Sequence, residues 1–448
     1  MTMKFKIIFS FFTLLSQPII GQSVQNSISA KDAVFMALDK NYKVQVARKQ
    51  ETIALKNNTW SEAGAFPTVV LNVGFNNIIQ DNTNNPFTFI PGVILSTSFS
   101  PNLSLNYNIF SGFAVKISKE RLEQLEAQSN GNALVIIEVT IQDVLKAYYT
   151  AKLQEQKLTL FKEIKANSAK RMKYYELKER YAKSNSLEIL QFKNQYLTDS
   201  TNYLLQEISF RNSLRNLLLM MNNSEDPSEE AFPELTDSLS FNYPELDLAQ
   251  VKNDLKGNNQ QLKNQYIALE LQKTTTEFQR SFLYPTLSFQ GGVSPTESWL
   301  RNLNNFEQKF NTQVINYNGN LNLRYSLFNN WKNKRAVEVS KIQEEITLLN
   351  SESLFKSLAV TLSNLSDLFK IRKELVNVSE QNFIYATKAW QLAQKRFENG
   401  TLSSVELLSF QNTYQNTLIQ HYDNQFNKLD TFLEIYKMTG KLALDYAK

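Results

Sequence analysis

Chemistry starts with side chains that trade protons, attack carbon or grip metals, and this chain of 448 residues is nearly bare of them. It has one histidine, His421, and no cysteine. Without cysteine there is no disulfide, no thiolate nucleophile, no Cys-bearing zinc site and no lipid anchor on an N-terminal Cys. A single imidazole builds neither a metal cluster nor a catalytic dyad. His421 stands in a helical run with no partner motif and reads as a surface residue. No nucleophile–base pair or phosphate-binding loop is visible. The sequence argues against an enzyme and asks for no cofactor or metal. The formal charge of +5 includes Lys4 and Lys6 of a leader expected to be removed. A nearly balanced mature chain does not suit a nucleic-acid binder.

The polar residues that do fall into a pattern gather at two turns. Ser403-Ser404-Val405-Glu406 has the spacing of a capping box, with Ser403 as cap and Glu406 reaching back. Asn185 and Glu188 repeat that spacing earlier in the chain. Gly400 can take the left-handed conformation that ends a helix. Arg180 and Arg396 hold equivalent places before the two turns. Either they bind carboxylates or carbonyls on neighbouring helices and hold this end shut, or they are solvated surface arginines, whose exposed pairs contribute about 0–1 kcal/mol. Glu188 and Glu406 likewise read as helix caps, as gate or partner contacts, or as both.

These turns sit between long helices. No proline occurs between Pro101 and Pro227, or after Pro295, and the stretches 113–183 and 331–397 carry apolar residues at three- and four-residue steps. At 1.5 Å per residue each helix is about 100 Å long and must pair with others in a coiled-coil-like bundle. Shorter helices are expected at about 32–64, 187–221, 246–283 and 404–439. Two short ones could lie end to end along each long one.

Between the helices the period changes to two. Leu103, Leu105, Tyr107 and Ile109 alternate with Ser104, Asn106 and Asn108, and Leu321, Leu323, Tyr325 and Leu327 alternate with Asn322, Arg324 and Ser326. Val69–Phe75 and Leu287–Val293 do the same. Apolar toward lipid and polar toward a lumen is the mark of a transmembrane barrel strand; a sheet with one wet face is the alternative. Aromatic residues cluster where strand meets helix, at Phe66, Phe110, Tyr284, Phe328 and Trp331, as in an interfacial girdle. Arg324 is the one charge on the expected lumenal faces, where Asn106 and Asn322 also lie. Pro101 is awkward in a ladder and is expected at the outer end, beside an exposed loop at 78–97.

The chain says this twice. FPTVVLNVGF (66–75) returns as YPTLSFQGGV (284–293), and LSLNYNIFSG (103–112) as LNLRYSLFNN (321–330), both 218 positions later. RYAKSNSLEILQF (180–192) returns as RFENGTLSSVELLSF (396–410). The expected organisation is a leader at 1–21, a first repeat at 22–222, a linker at 223–245, a second repeat at 246–440 and a tail at 441–448. Lys4, Lys6, the apolar run 7–15 and Gly21 make a secretory signal, with an uncleaved anchor as the alternative. Four strands leave open edges that a bilayer does not tolerate, so several copies must close the wall.

This layout, the duplicated Phe66-Pro67 and Tyr284-Pro285 motifs, the strand ends Tyr107–Phe110 and Tyr325–Phe328 with Gly112 close behind, and the RFENGTLSSVELL turn resemble the TolC-type outer-membrane efflux family over about residues 25–440. The resemblance implies a mainly α fold with a transmembrane β part. Long antiparallel helical hairpins form an α-barrel, and four strands per chain join a 12-stranded trimeric outer-membrane β-barrel. It implies a passive exit duct of a tripartite efflux or type I secretion system, spanning the outer membrane and reaching into the periplasm. A periplasmic adaptor (membrane fusion) protein and an inner-membrane pump would dock at its tips. A stand-alone diffusion pore and a secreted coiled-coil scaffold are the other readings. Family members often narrow the tunnel with an apolar and an acidic ring after the second turn. Those positions are Val405 and Ser409 here, so the acid is missing unless Glu406 takes its place. The usual glycine of the first turn is replaced by Ser184-Asn185.

Overall fold

The computed structural model describes residues 27–180, 186–222, 232–239, 243 and 247–442. The expected leader, most of the linker and the tail beyond Leu442 fall outside the described residues. In chain order the elements are β1 (Ser27–Ile28), α1 (Ala30–Lys40), α2 (Tyr42–Asn57), β2 (Thr68–Asp81), β3 (Val93–Ser111), α3 (Ala114–Arg180) and α4 (Ser186–Met221). There follow β4 (Glu234–Leu235), α5 (Leu248–Asn258), α6 (Gln260–Ser281), β5 (Thr286–Asn302), β6 (Lys309–Arg324), α7 (Lys332–Glu398) and α8 (Ser404–Met438). No described helix is long and apolar enough to cross a membrane.

The two long helices, α3 and α7, have 67 residues each, about 100 Å at the α-helical rise. Their length follows from proline-free sequence rich in strong helix formers. The helices expected at 32–64 and 246–283 are each two helices, broken at Asn41 and Asn259. The cause is the same at both. Asn41 closes α1 by donating its N–H to the Ala37 carbonyl, opens α2 by accepting from the Lys43 N–H at 2.9 Å, and donates its side-chain amide to the Met220 carbonyl at 2.8 Å. Asn259 closes α5 through the Leu255 carbonyl, accepts from the Leu262 N–H at 2.8 Å and donates to the Met438 carbonyl at 3.0 Å. Each asparagine therefore pins the start of one short helix to the end of another, so α2 follows α4, and α6 follows α8, along a long partner.

Just beyond those ends the backbone turns left-handed in both repeats, at Asn222 (φ 48) and Gly440 (φ 67). A Cβ on Gly440 would stand 2.5 Å from the Asn258 carbonyl oxygen, which accounts for glycine there. The main core lies at this level of the bundle. It joins α1 to α3 and α4 through Val34, Ala37, Val144, Leu145, Tyr148, Leu214 and Leu217. The Tyr148 hydroxyl donates to the Ile28 carbonyl and accepts from the Asp237 N–H, both at 3.0 Å. It thus ties down β1 and β4, which pair in parallel.

The other four strands form one antiparallel sheet in the order β2-β3-β5-β6. Its register sorts the faces. Leu71, Leu103 and Val293 align with Tyr317, whereas Thr68, Asn106, Gln290 and Asn320 align on the opposite, polar face. The strands differ from expectation at three places. β6 ends at Arg324, so the alternating Tyr325 and Leu327 lie beyond the strand. The outer loop is only 82–92, since β2 and β3 extend into the expected loop. Pro101 lies mid-strand, opposite Val73. On its other side the β3–β5 ladder lapses between Phe99↔Glu297 and Leu103↔Val293, where the register sets Pro101 against Pro295. Neither proline has an N–H to offer, so the lapse falls where no donor is lost.

Candidate functional site

At the tip, α7 ends as its sequence dictates. Gly400 is left-handed (φ 71), its N–H reaches the Phe397 carbonyl at 3.0 Å, and the Thr401 N–H reaches the Arg396 carbonyl at 2.9 Å. This is a Schellman closure. The helix α8 then opens on a full capping box. The Glu406 N–H donates to Ser403 Oγ at 3.3 Å, and Glu406 Oε2 accepts from the Ser403 N–H at 2.9 Å and from its hydroxyl at 2.7 Å. Those two bonds hold the Glu406 carboxyl below its usual range. Val405 and Ser409, one turn apart, are both exposed on α8, and Arg396 is exposed in the last turn of α7. Glu188 is half-buried in the first turn of α4. Burial, helped by the Glu188 charge, pushes the Tyr175 phenol up. Ser184, Asn185 and the side chain of Arg180 lie outside the described residues.

Two groups that the sequence reading missed tie the hairpins together here. Tyr175 of α3, Phe192 of α4 and Phe397 of α7 stack at 4.5 and 5.9 Å between centroids. One turn deeper, Arg171 of α3 donates to Gln411 of α8, which donates to the buried Asp199 of α4 at 3.4 Å. Burial lowers the Arg171 guanidinium to about 10, against the pull of Asp199, and raises the Asp199 carboxyl. The same α3–α8 seam carries Lys157–Asp423 at 2.6 Å and Lys146–Asp430 at 2.9 Å. The signal for this network was present as polar residues interrupting long apolar stripes, but it spans three helices. His421, expected at the surface, is buried between α7 and α8. Its ring stacks on Phe383 at 5.9 Å, and its nitrogens meet Ser379 Oγ at 3.3 Å and Gln425 Nε2 at 3.0 Å. Burial lowers its pKa.

At the other end of the bundle the sheet passes into the long helices through two matching turns. Gly112 and Phe113 are both left-handed (φ 62 and 69), as are Asn330 and Trp331 (φ 55 and 61). Phe113, absent from the sequence reading, packs edge-on against Phe110 at 5.3 Å and against Tyr284 at 6.0 Å. In the second repeat Phe328 packs edge-on against Trp331 at 5.8 Å. Phe66, Tyr284, Phe328 and Trp331 are all exposed. Pro67 and Pro285 stand immediately before β2 and β5, where a strand can lack a donor. On the polar face Asn106 lies opposite Gln290, Asn322 opposite Ser288, and Arg324 opposite Thr286. Among the described residues of that face Arg324 is the one charge.

Residues 251–441 match the family model described as outer membrane efflux protein. No curated protein matches the chain by sequence. Solved structures match its fold. The outer membrane channel CmeC of Campylobacter jejuni is 13% identical, with a TM-score of 0.75 over 92% of this chain and 85% of that one. For the Neisseria gonorrhoeae MtrE outer membrane channel, in its open state, the figures are 17%, 0.72, 92% and 89%. For the outer membrane protein VceC of Vibrio cholerae they are 12%, 0.68, 92% and 96%. Residues 251–441 thus match the outer membrane efflux protein model, and the chain over 92% of its length shares the fold of these solved outer-membrane channels.

Proposed function

We propose that the chain is the passive exit duct of an efflux or secretion machine in the outer membrane, built as a closed ring of copies. One observation carries this reading. Among the described residues the first long helix, α3, packs on α1, α2 and α4 on one flank and on α6 and α8 on the other, whereas its counterpart α7 packs chiefly on α5, α6 and α8. The open flank of α7 exposes Ile342, Leu349, Val360, Ile371 and Val378. The opposite edge of the chain, α2 and α4, exposes Val46, Ile53, Leu190, Leu197 and Leu204. The edge strands β2 and β6 are bare at the same two sides. An edge of one kind that fits an edge of another kind is a heterologous interface, and it closes into a ring when the rotation allows. Family resemblance supports a count of three and a barrel of twelve strands. Backbone groups in hydrocarbon require the closure.

In this reading the Asn-rich face lines the barrel, the aromatic turns mark the membrane boundary, and the repeats 22–222 and 246–440 follow removal of a leader at 1–21. The tip residues Val405, Glu406 and Ser409 border the aperture. Arg180 and Arg396 hold it, and the tip receives a periplasmic adaptor and an inner-membrane pump. The test is gel mobility of membrane extract in detergent, heated against unheated, together with single-channel current. A heat-sensitive band of about three chain masses that conducts is expected. A stable, water-soluble monomer of the mature chain refutes the ring. An unchanged closed-level conductance in an Arg180→Gln/Arg396→Gln variant refutes the role given to the arginines.

A further inference from the structure

Between α3 and α7, with α8 as floor, a half-open cavity of about 370 Å3 lies near the tip, within the size range of small-molecule sites. Three cations line it: Lys170, Arg171 and Lys178, against the single acid Glu398. None of the three cations makes an ion pair with a carboxylate within 4 Å among the described residues. The Lys178 ammonium lies over the Tyr174 and Tyr175 rings at 4.8 and 5.3 Å. Arg171 spends one N–H on Gln411 and lies over the Trp390 ring at 5.6 Å, but its buried Nε–H has no acceptor. Apolar surface comes from Phe397 of α7, beside Gln394 and Glu398, and from Leu407 on the α8 floor. A concave site with excess positive charge, a spare buried donor and an aromatic wall is complementary to an anion that carries a hydrophobic body.

We propose that this cavity binds small organic carboxylates with an aromatic or aliphatic tail. The carboxylate faces Lys170, Arg171 and Lys178, and the tail lies on Phe397 and Leu407. The site is complete within one copy, so it does not rest on the ring. The experiment uses the purified full-length chain in detergent, with 3-phenylpropionate as probe and its uncharged amide as control. Binding is read from the emission of Trp390, isolated as the signal lost in Trp390→Phe. The acid is expected to saturate with a dissociation constant of about 1 mM or tighter, as suits a ligand of that size, and to weaken with added salt. The amide is expected to bind at least about tenfold more weakly. The double variant Lys170→Gln/Lys178→Gln, which removes half-buried and exposed groups and so keeps the fold, is expected to lose at least about fivefold in acid affinity with unchanged helical circular dichroism. Equal binding of acid and amide, no saturable binding of the acid, or full affinity in a folded double variant would each overturn the assignment. Loss of the heat-sensitive multimer bears on the ring and not on this cavity.

Discussion

Replacing Asn259 tests the joint on which the bundle's length depends. Its residue is 6% exposed, and it serves three helix ends at once. Asn259→Ala removes the cap of α6, a loss of about 1 kcal/mol. It also strands the Met438 carbonyl, whose residue is 4% exposed, at about 1–3 kcal/mol for an unpaired buried group. The total is about 2–4 kcal/mol. Asn259→Asp separates the two parts. Aspartate caps a helix as well as asparagine does, but it has no N–H for Met438 and sets a carboxylate against that carbonyl. If capping alone mattered, the Asn259→Asp variant would match the parent. If the joint matters, it falls at least as far as alanine. For a chain of this length the unfolding entropy is about 1 kcal/mol per kelvin, so the alanine variant should melt about 2–4 °C lower by helical circular dichroism in detergent. Asn41→Ala, at the matching but half-buried joint, should fall less, because water can reach the Met220 carbonyl. An Asn259→Asp protein that melts with the parent refutes the argument.

Three further perturbations follow from the geometry. Gly112→Ala should destabilise by more than about 2 kcal/mol, because its φ is 62 and a Cβ would lie 2.2 Å from the Ser281 carbonyl oxygen; Gly400→Ala, equally left-handed but with nothing within 4 Å, should cost only about 1 kcal/mol, and equal melting of the two would refute the steric account. Phe192→Ala, at a ring 1% exposed, should forfeit about 3–5 kcal/mol of packing at the tip and raise single-channel current while leaving the heat-sensitive multimer intact; unchanged current would show that this stack does not hold the aperture. Glu138, 5% exposed with Oε1 unpaired, has its carboxyl pushed by burial from 4.5 up to about 7, against Lys263 and Lys437. Its folded value lies above its unfolded one, so its contribution is fully present below pH 4.5 and is lost as pH rises through 7. Glu138→Gln should therefore stabilise by about 1–3 kcal/mol at pH 8 and by almost nothing near pH 4.5, and a shift of equal size at both would refute the assignment.

The long helices were legible because propensity, the absence of proline and a three-to-four period agree over 67 residues. The strands were legible at their centres and not at their ends. Tyr325 and Leu327 keep the apolar alternation after the ladder of β6 has stopped at Arg324. Asn41 and Asn259 looked like ordinary polar positions in an amphipathic run. Only their partners, the carbonyls of Met220 and Met438, make them breaks, and those partners lie 179 residues away. Phe113 was hidden for lack of a motif, although Trp331, at the same place in the second repeat, was singled out. His421 read as surface because an isolated imidazole is usually wet; here Ser379, Gln425 and Phe383 satisfy it from the neighbouring turns.

The repeats diverge where their neighbours differ. Tyr148 and Ala151 of α3 stand 218 positions before Ser366 and Phe369 of α7, and all four are buried. The ring of Tyr148 and the ring of Phe369 thus sit one turn apart in the two repeats, with Tyr149 buried beside the first. In α3 the ring carries a hydroxyl that holds β1 and the Asp237 backbone. In α7 the ring has no hydroxyl and packs edge-on against Tyr243 at 5.7 Å and tilted against Phe432 at 6.1 Å. Residues of the segment joining the repeats are therefore gripped from both sides, by a hydrogen bond in one half and by aromatic packing in the other. Two identical repeats would present the same ring to both sides of the segment. Two divergent repeats in one chain keep near-regular helix packing while the connecting segment is fixed at one level of the bundle. Among the described residues, α7 lacks on its open flank the packing that α2 and α4 give to α3.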